Sequence, residues 1–156
     1  MCEYCGCQAV TVIAELTREH DRALDSVRAA EQAASAGDLG AARVALLDLQ
    51  DVLAPHTVVE EQGLFPAIAR EFPEQVHALE LEHRQLEDLG TQMQSAQPPA
   101  RWAEDVTASM SALRTHILKE QDGVFPAALS VLNAADWQAV EDARATLGSM
   151  QAGAGL

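Results

Sequence analysis

The sequence predicts an all-α protein: an up-down four-helix bundle with a pseudo-twofold internal repeat, followed by a short C-terminal helix. Three observations carry that expectation. Apolar residues make up 48% of the 156-residue chain and aromatics only 4%, with Ala and Leu dominant and few β-branched stretches, a balance that favours helix over sheet. Apolar positions recur at spacings of three and four over long segments, the period of a helix face turned towards a core. Residues 56–69 (HTVVEEQGLFPAIA) also align without a gap on residues 116–129 (HILKEQDGVFPAAL), with His, Glu, Gly, Phe, Pro and Ala in register.

Local signals justify each element. Helical periodicity runs from about Val10 to Ala34, where Ser35-Ala36-Gly37-Asp38 makes a turn whose Asp38 can cap the next helix. The second helix covers about Leu39 to Gln62, and Pro55 inside it predicts a kink near His56. Gly63, Pro66 and Pro73 punctuate the stretch after it, with Pro73-Glu74 as the first turn of a third helix reaching about Ser95. After Pro98-Pro99 a fourth helix runs from about Ala100 to Gln121. A second interruption at Gly123 and Pro126 precedes a last helix from about Ala134 to Leu147, capped by Asn133, and a frayed tail. Upstream of each repeat copy lies a helix carrying Glu-His, Glu19-His20 and Glu82-His83. The offset is 60 for the later helices and 63 for the earlier ones, so the chain reads as two related helical hairpins. One domain is expected at this length: a Cys-rich segment at 1–9, the bundle at 10–130, and the C-terminal helix and tail at 131–156.

Charge excludes some functions. With 10 Lys and Arg against 24 acids, a formal −14, no basic face is available for nucleic acid or an anionic membrane surface. No run approaches the ~20 apolar residues of a bilayer span, and no signal-peptide pattern opens the chain, so a cytoplasmic location is expected.

The seams of the helices carry the chemistry. They read Ile13, Leu16, His20, Ala23, Val27; then Leu46, Leu49, Leu53, His56, Glu60; then Val76, Leu79, His83, Leu86; then Val106, Ser109, Leu113, His116, Glu120. Each helix sends one His inward, and two add a Glu four residues later, on the same face with Cβ atoms about 6 Å apart. A single inward His is more often a hydrogen-bonded core residue than a ligand. Four imidazoles and two carboxylates are another matter: each costs about 1 to 3 kcal/mol if unsatisfied, against a net stability of about 5 to 15 kcal/mol for a whole domain. Bound cations satisfy all six, with two His at each of two points and both Glu bridging. Imidazole and carboxylate ligands without an inward Cys suit iron or manganese better than a closed tetrahedral zinc site, with iron the choice and zinc the main alternative.

These residues resemble the hemerythrin-like family of His-His-Glu cation-binding domains. The family pattern is a His on the first helix, His-x-x-x-Glu on the second, His on the third and His-x-x-x-Glu on the fourth. It is matched by His20, HTVVE at 56–60, His83 and HILKE at 116–120, each repeat copy continuing into Leu64-Phe65-Pro66 or Val124-Phe125-Pro126. The resemblance covers about residues 10–130. It implies a non-haem di-iron centre, two ions moving between Fe2+ and Fe3+ with bridging carboxylates and an oxo or hydroxo bridge, that meets O2, peroxide or NO at an open position. One departure stands out. Oxygen-carrying members hold two His four residues apart on the third helix, and here the position four before His83 is Leu79. His77 does not replace it, since six residues is about 240° around a helix. Two His and two bridging oxygens then leave about two positions on each iron, an arrangement suited to joint attack on one substrate. Three functions are expected from this resemblance: a di-iron catalyst consuming peroxide or NO, an O2 or NO carrier or sensor, and iron buffering.

Lesser candidates surround these six. Glu61 succeeds Glu60 where Gln121 succeeds Glu120, and reads as an extra ligand, as a base orienting a His, or as a solvated helix residue. Cys2, Cys5 and Cys7 flank Tyr4 just before the first helix, where a lowered thiol pKa favours metal binding or redox exchange. Such a segment could carry electrons, bind another metal or reach the open position, and an incidental tail is the alternative. Trp102 and Trp137 read as packing residues. The stripe Trp137, Val140, Leu147 either caps the bundle or makes a homodimer contact.

Overall fold

The computed structural model of the chain describes residues 6–153, with side chains from Ala9 to Ser149. Cys2, Tyr4 and Cys5 lie outside the described residues, as does the side chain of Cys7. Among the described residues the protein is all-α: α1 (Gly6–Ser35), α2 (Leu39–Val59), α3 (Phe65–Ile68), α4 (Pro73–Gln94), α5 (Trp102–Lys119), α6 (Phe125–Val131) and α7 (Ala134–Gly153). No helix among them is long and apolar enough to cross a membrane.

Capping chemistry fixes the hairpins. Gly37 takes a φ of +67°, a conformation open to glycine, and lets Asp38 N–H reach Ala33 O and Gly37 N–H reach Ala34 O in a Schellman turn. Asp38 then accepts from Ala41 N–H at 2.9 Å and starts α2, as its sequence position predicts. Asn133 and Asp136 exchange side-chain-to-backbone bonds of 3.0 Å at the head of α7.

The expected interruptions at Gly63 and Gly123 are not breaks. Glu60–Leu64 and Glu120–Val124 are single π-helical turns, closed by Phe65 N–H to Glu60 O and Phe125 N–H to Glu120 O. Each inserts one residue into the helix, so the carboxylate and the Phe that ends the turn both point inward. Pro66 and Pro126 fall in the first turn of α3 and α6. Two end points also differ from expectation: α1 begins at Gly6 rather than Val10, and α7 continues to Gly153 beyond Leu147.

Around the bundle α1 packs on α2 and α5, and α4 packs on the same two helices from the opposite corner. Two apolar cores lie along the bundle axis. Leu16, Leu64, Phe65, Leu79, Phe125 and Trp137 belong to one. The other holds Val27, Leu46, Leu49, Met93, Met110 and Leu113. Between them, on every helix of the bundle, sits a polar residue of the seam.

α7 lies across α1, α2 and the first π turn. Trp137 and Val140 are buried in the first core, with Leu147 packed against it, so the stripe that suggested a dimer contact is covered by the chain itself. Close approach here requires Gly63, because a Cβ at that position would lie 2.7 Å from the Val140 Cα; Gly123, its repeat equivalent, has nothing within 4 Å. Gly63→Ala is therefore expected to destabilise the fold by about 1 to 3 kcal/mol, and Gly123→Ala to change it by less than about 0.5 kcal/mol. Denaturant titration of the two variants checks the difference, and equal effects would contradict it.

Candidate metal centre

Six buried residues meet between the two cores. His20 comes from α1, His56 from α2, His83 from α4 and His116 from α5, while Glu60 and Glu120 open the two π turns. Their ligand-type atoms form two groups, each spanning no more than 4.8 Å: His20, His56, Glu60 and Glu120 in one, His83, His116 and Glu120 in the other. Glu120 Oε2 lies 2.9 Å from His20 Nε2 and Glu120 Oε1 lies 2.9 Å from His116 Nε2. Glu60 Oε1 is 3.2 Å from His56 Nε2, and its Oε2 is 3.5 Å from His83 Nε2.

The residues leave a definite chemical deficit. Among the described residues, seven buried atoms have no hydrogen-bond partner: both ring nitrogens of His20, His56 Nε2, and all four oxygens of Glu60 and Glu120. The short distances from His20 and His56 to the carboxylates thus lack the alignment of a hydrogen bond. His83 Nε2 and His116 Nε2 face one another at 3.0 Å, nitrogen to nitrogen. Ring nitrogens and carboxylate oxygens that converge without hydrogen-bonding one another are what a cation requires, and an all-N,O donor set of this kind fits a metal centre.

A layer behind three of the six holds them in place, and the seam pattern does not reveal most of it. His56 Nδ1 pairs with Glu19 Oε2 at 2.8 Å, His83 Nδ1 with Glu61 Oε1 at 2.8 Å and His116 Nδ1 with Glu82 Oε2 at 2.7 Å. Each carboxylate is gripped in turn by a cation: Glu19 by Arg144 of α7, Glu61 by Arg84, Glu82 by Lys119. Of the three readings of Glu61, the structure therefore carries that of an orienting carboxylate, outside both ligand groups. The Glu-His pairs at 19–20 and 82–83 are visible in the sequence as repeat markers. What they mark is crossed support, each Glu serving the His on the partner helix of its hairpin rather than its own neighbour. His20 breaks the pattern, since its Nδ1 has no partner and Gln121 stands where the repeat would place Glu61.

Electrostatics obey the pairing. Burial alone would depress the His56 imidazole, but the charge of Glu60 and the bond to Glu19 override it and hold the group at about 10. His116 is likewise raised to about 9, against burial, by Glu120 and Glu82. Burial would raise Glu19, yet its bonds to His56 and Arg144 lower it to about 2. Burial opposes Glu120 too, and His116, His20 and His83 still hold it well below the ordinary carboxylate range.

A cavity of about 230 Å³ is lined by His20, His56, His83, His116 and Glu120 and extends on the side of the second core. Its inner wall includes Leu46, Leu49, Met110 and Leu113, and it opens between α2 and α4 near Ala54, Thr57 and Glu87. Leu79 does not line it. That side chain is 4% exposed and packed with Phe65 and Phe125 in the first core. The side of the polar layer at Leu79 is thus closed by hydrocarbon, and the free space lies on the opposite side.

A family model described as hemerythrin HHE cation binding domain matches residues 11–128. Neither a curated protein nor a solved structure matched the chain.

Proposed function

Because the chain belongs to the hemerythrin HHE cation-binding domain family, we propose that His20, His56, His83, His116, Glu60 and Glu120 hold two iron ions at which O2, peroxide or NO binds or reacts. The observation that carries this reading is the set of seven buried, unpartnered nitrogen and oxygen atoms, a deficit that two cations remove and that a hydrogen-bonded core would not contain. Iron supplies reversible electron transfer and Lewis acidity to a bound small oxidant. The remaining work is done by the chain. His56, His83 and His116 are held with Nδ1–H directed at a carboxylate, which fixes the tautomer and turns Nε2 inward. Glu120 belongs to both groups, and Glu60 adds its carboxylate to the group of His20 and His56. The first core excludes water from one side, and the cavity admits a ligand from the other.

Anaerobic loading with ferrous iron, then exposure to O2, peroxide or NO, tests the proposal by optical spectroscopy. A reversible O2 adduct identifies a carrier or sensor, and catalytic loss of peroxide or NO identifies an enzyme. No spectral change with any of the three would reject the proposed reactivity.

The supporting layer gives a graded prediction. Arg144→Met releases Glu19 from its 2.6 Å bond and frees the His56 ring to rotate, so metal affinity is expected to fall about 10- to 100-fold with the fold intact. Competition with a coloured chelator measures it, and unchanged affinity would mean that α7 has no part in the site.

A further inference from the structure

The cavity beside the six residues is larger than a diatomic or peroxide ligand needs. A water molecule's share of liquid volume is about 30 Å³, and an apolar cavity of about 150 Å³ stays dry and takes up benzene. The space here is about 230 Å³, with His20, His56, His83, His116 and Glu120 on one side and Leu46, Leu49, Leu89, Met110, Leu113 and Ile117, all nine-tenths or more buried, on the other. Those apolar walls offer water no hydrogen bonds, so filling the chamber with solvent is unfavourable beyond the polar layer.

The route in is also built. Ala54 and Glu87 are exposed where the cavity reaches the surface between α2 and α4. The helices pass closely at Gly90, where a Cβ would lie 1.8 Å from Gln50 Nε2, so glycine makes room for the Gln50 amide at the mouth. Gln50 is half-buried and makes no hydrogen bond among the described residues, so its amide stands with Thr57 and Glu87 as a polar rim to the chamber.

From the volume, the wall chemistry and the mouth, we infer that the chamber binds a small apolar organic molecule, of the size of a monocyclic arene, beside the polar layer. The inference extends the metal reading by adding an organic ligand to the same chamber, but its binding energy comes from hydrocarbon burial and does not require the metal. The two ideas can therefore fail separately.

Toluene is the probe. It is titrated calorimetrically into the full chain in metal-free form and after loading with zinc, which is redox-silent. One saturable site per chain is expected in both forms. Leu49→Phe, which fills the chamber from its wall, is expected to weaken toluene binding at least about tenfold while metal per chain is unchanged. Ala54→Leu lies on the surface and gives a second arm if the first variant does not fold: it narrows the mouth and is expected to slow toluene uptake severalfold. Absence of saturable binding in both forms overturns the inference. So does unchanged binding in a folded Leu49→Phe protein, or unchanged uptake in Ala54→Leu should the first variant not fold. Toluene binding to a protein that takes up no metal would leave this inference standing and defeat the metal reading.

Discussion

Glu120→Ala is expected to empty both metal positions, taking metal content from about two per chain to about none. Among the described residues Glu120 is the one shared by both ligand groups, with Oε2 2.9 Å from His20 and Oε1 2.9 Å from His116 and 3.6 Å from His83. Glu60 is grouped only with His20, His56 and Glu120, so Glu60→Ala is expected to retain the His83–His116 position and about one metal. Stability should change in parallel. The loaded wild type gains about 2.7 kcal/mol when free metal exceeds its Kd a hundredfold, a gain that Glu120→Ala loses. The metal-free variant suffers as well, because the raised His83 and His116 imidazoles lose a counter-charge, a change of about 3 to 5 kcal/mol when a buried ion pair is broken. Elemental analysis and thermal melts of the two variants check this. Equal metal retention in both would contradict the shared role of Glu120.

Metal binding is expected to be strongly proton-linked, the second large effect. In the metal-free protein His56 is held at about 10 and His116 at about 9, so both carry a proton at pH 7 and neither offers a lone pair at Nε2. A cation must displace those protons, so about two per chain are released on loading at pH 7. The sign for stability runs in opposite directions in the two forms. Folded pKa values above the ordinary 6.5 mean that the protonated imidazoles stabilise the metal-free fold fully below pH 6.5, and that this contribution is lost as pH rises through 9 and 10. Glu19, lowered to about 2, contributes above about pH 4.5 and is lost as pH falls through 2. The melting-point difference between loaded and metal-free protein should therefore widen from pH 6 to pH 9. Indicator-dye measurement of proton release, with chelator competition across that range, tests it. A pH-independent affinity would show that the imidazoles are not the ligands.

Much of the site was legible because helical spacing carries it. His20, His56, Glu60, His83, His116 and Glu120 sit on apolar seams, and the structure brings all six together. The hairpin repeat, the Asp38 cap and the Asn133 cap were legible from local chemistry. The π turns were not, because Gly63-x-x-Pro66 and Gly123-x-x-Pro126 carry the composition of a loop, and a shift from i−4 to i−5 bonding leaves no mark on residue type. Nor was the support of His56 by Glu19 and Arg144, a carboxylate and a guanidinium 125 residues apart. Leu79 is a different case. Its identity removed a candidate ligand, but only packing reveals that Phe65 and Phe125 seal that side and that the free space lies towards Met110 and Leu113.

Counting metal by native mass spectrometry after anaerobic loading with ferrous iron tests the two-metal centre most directly. The geometry predicts two irons per chain in the wild type and loss of both in Glu120→Ala. A wild type that holds at most one iron, or that binds zinc and excludes iron, would contradict it.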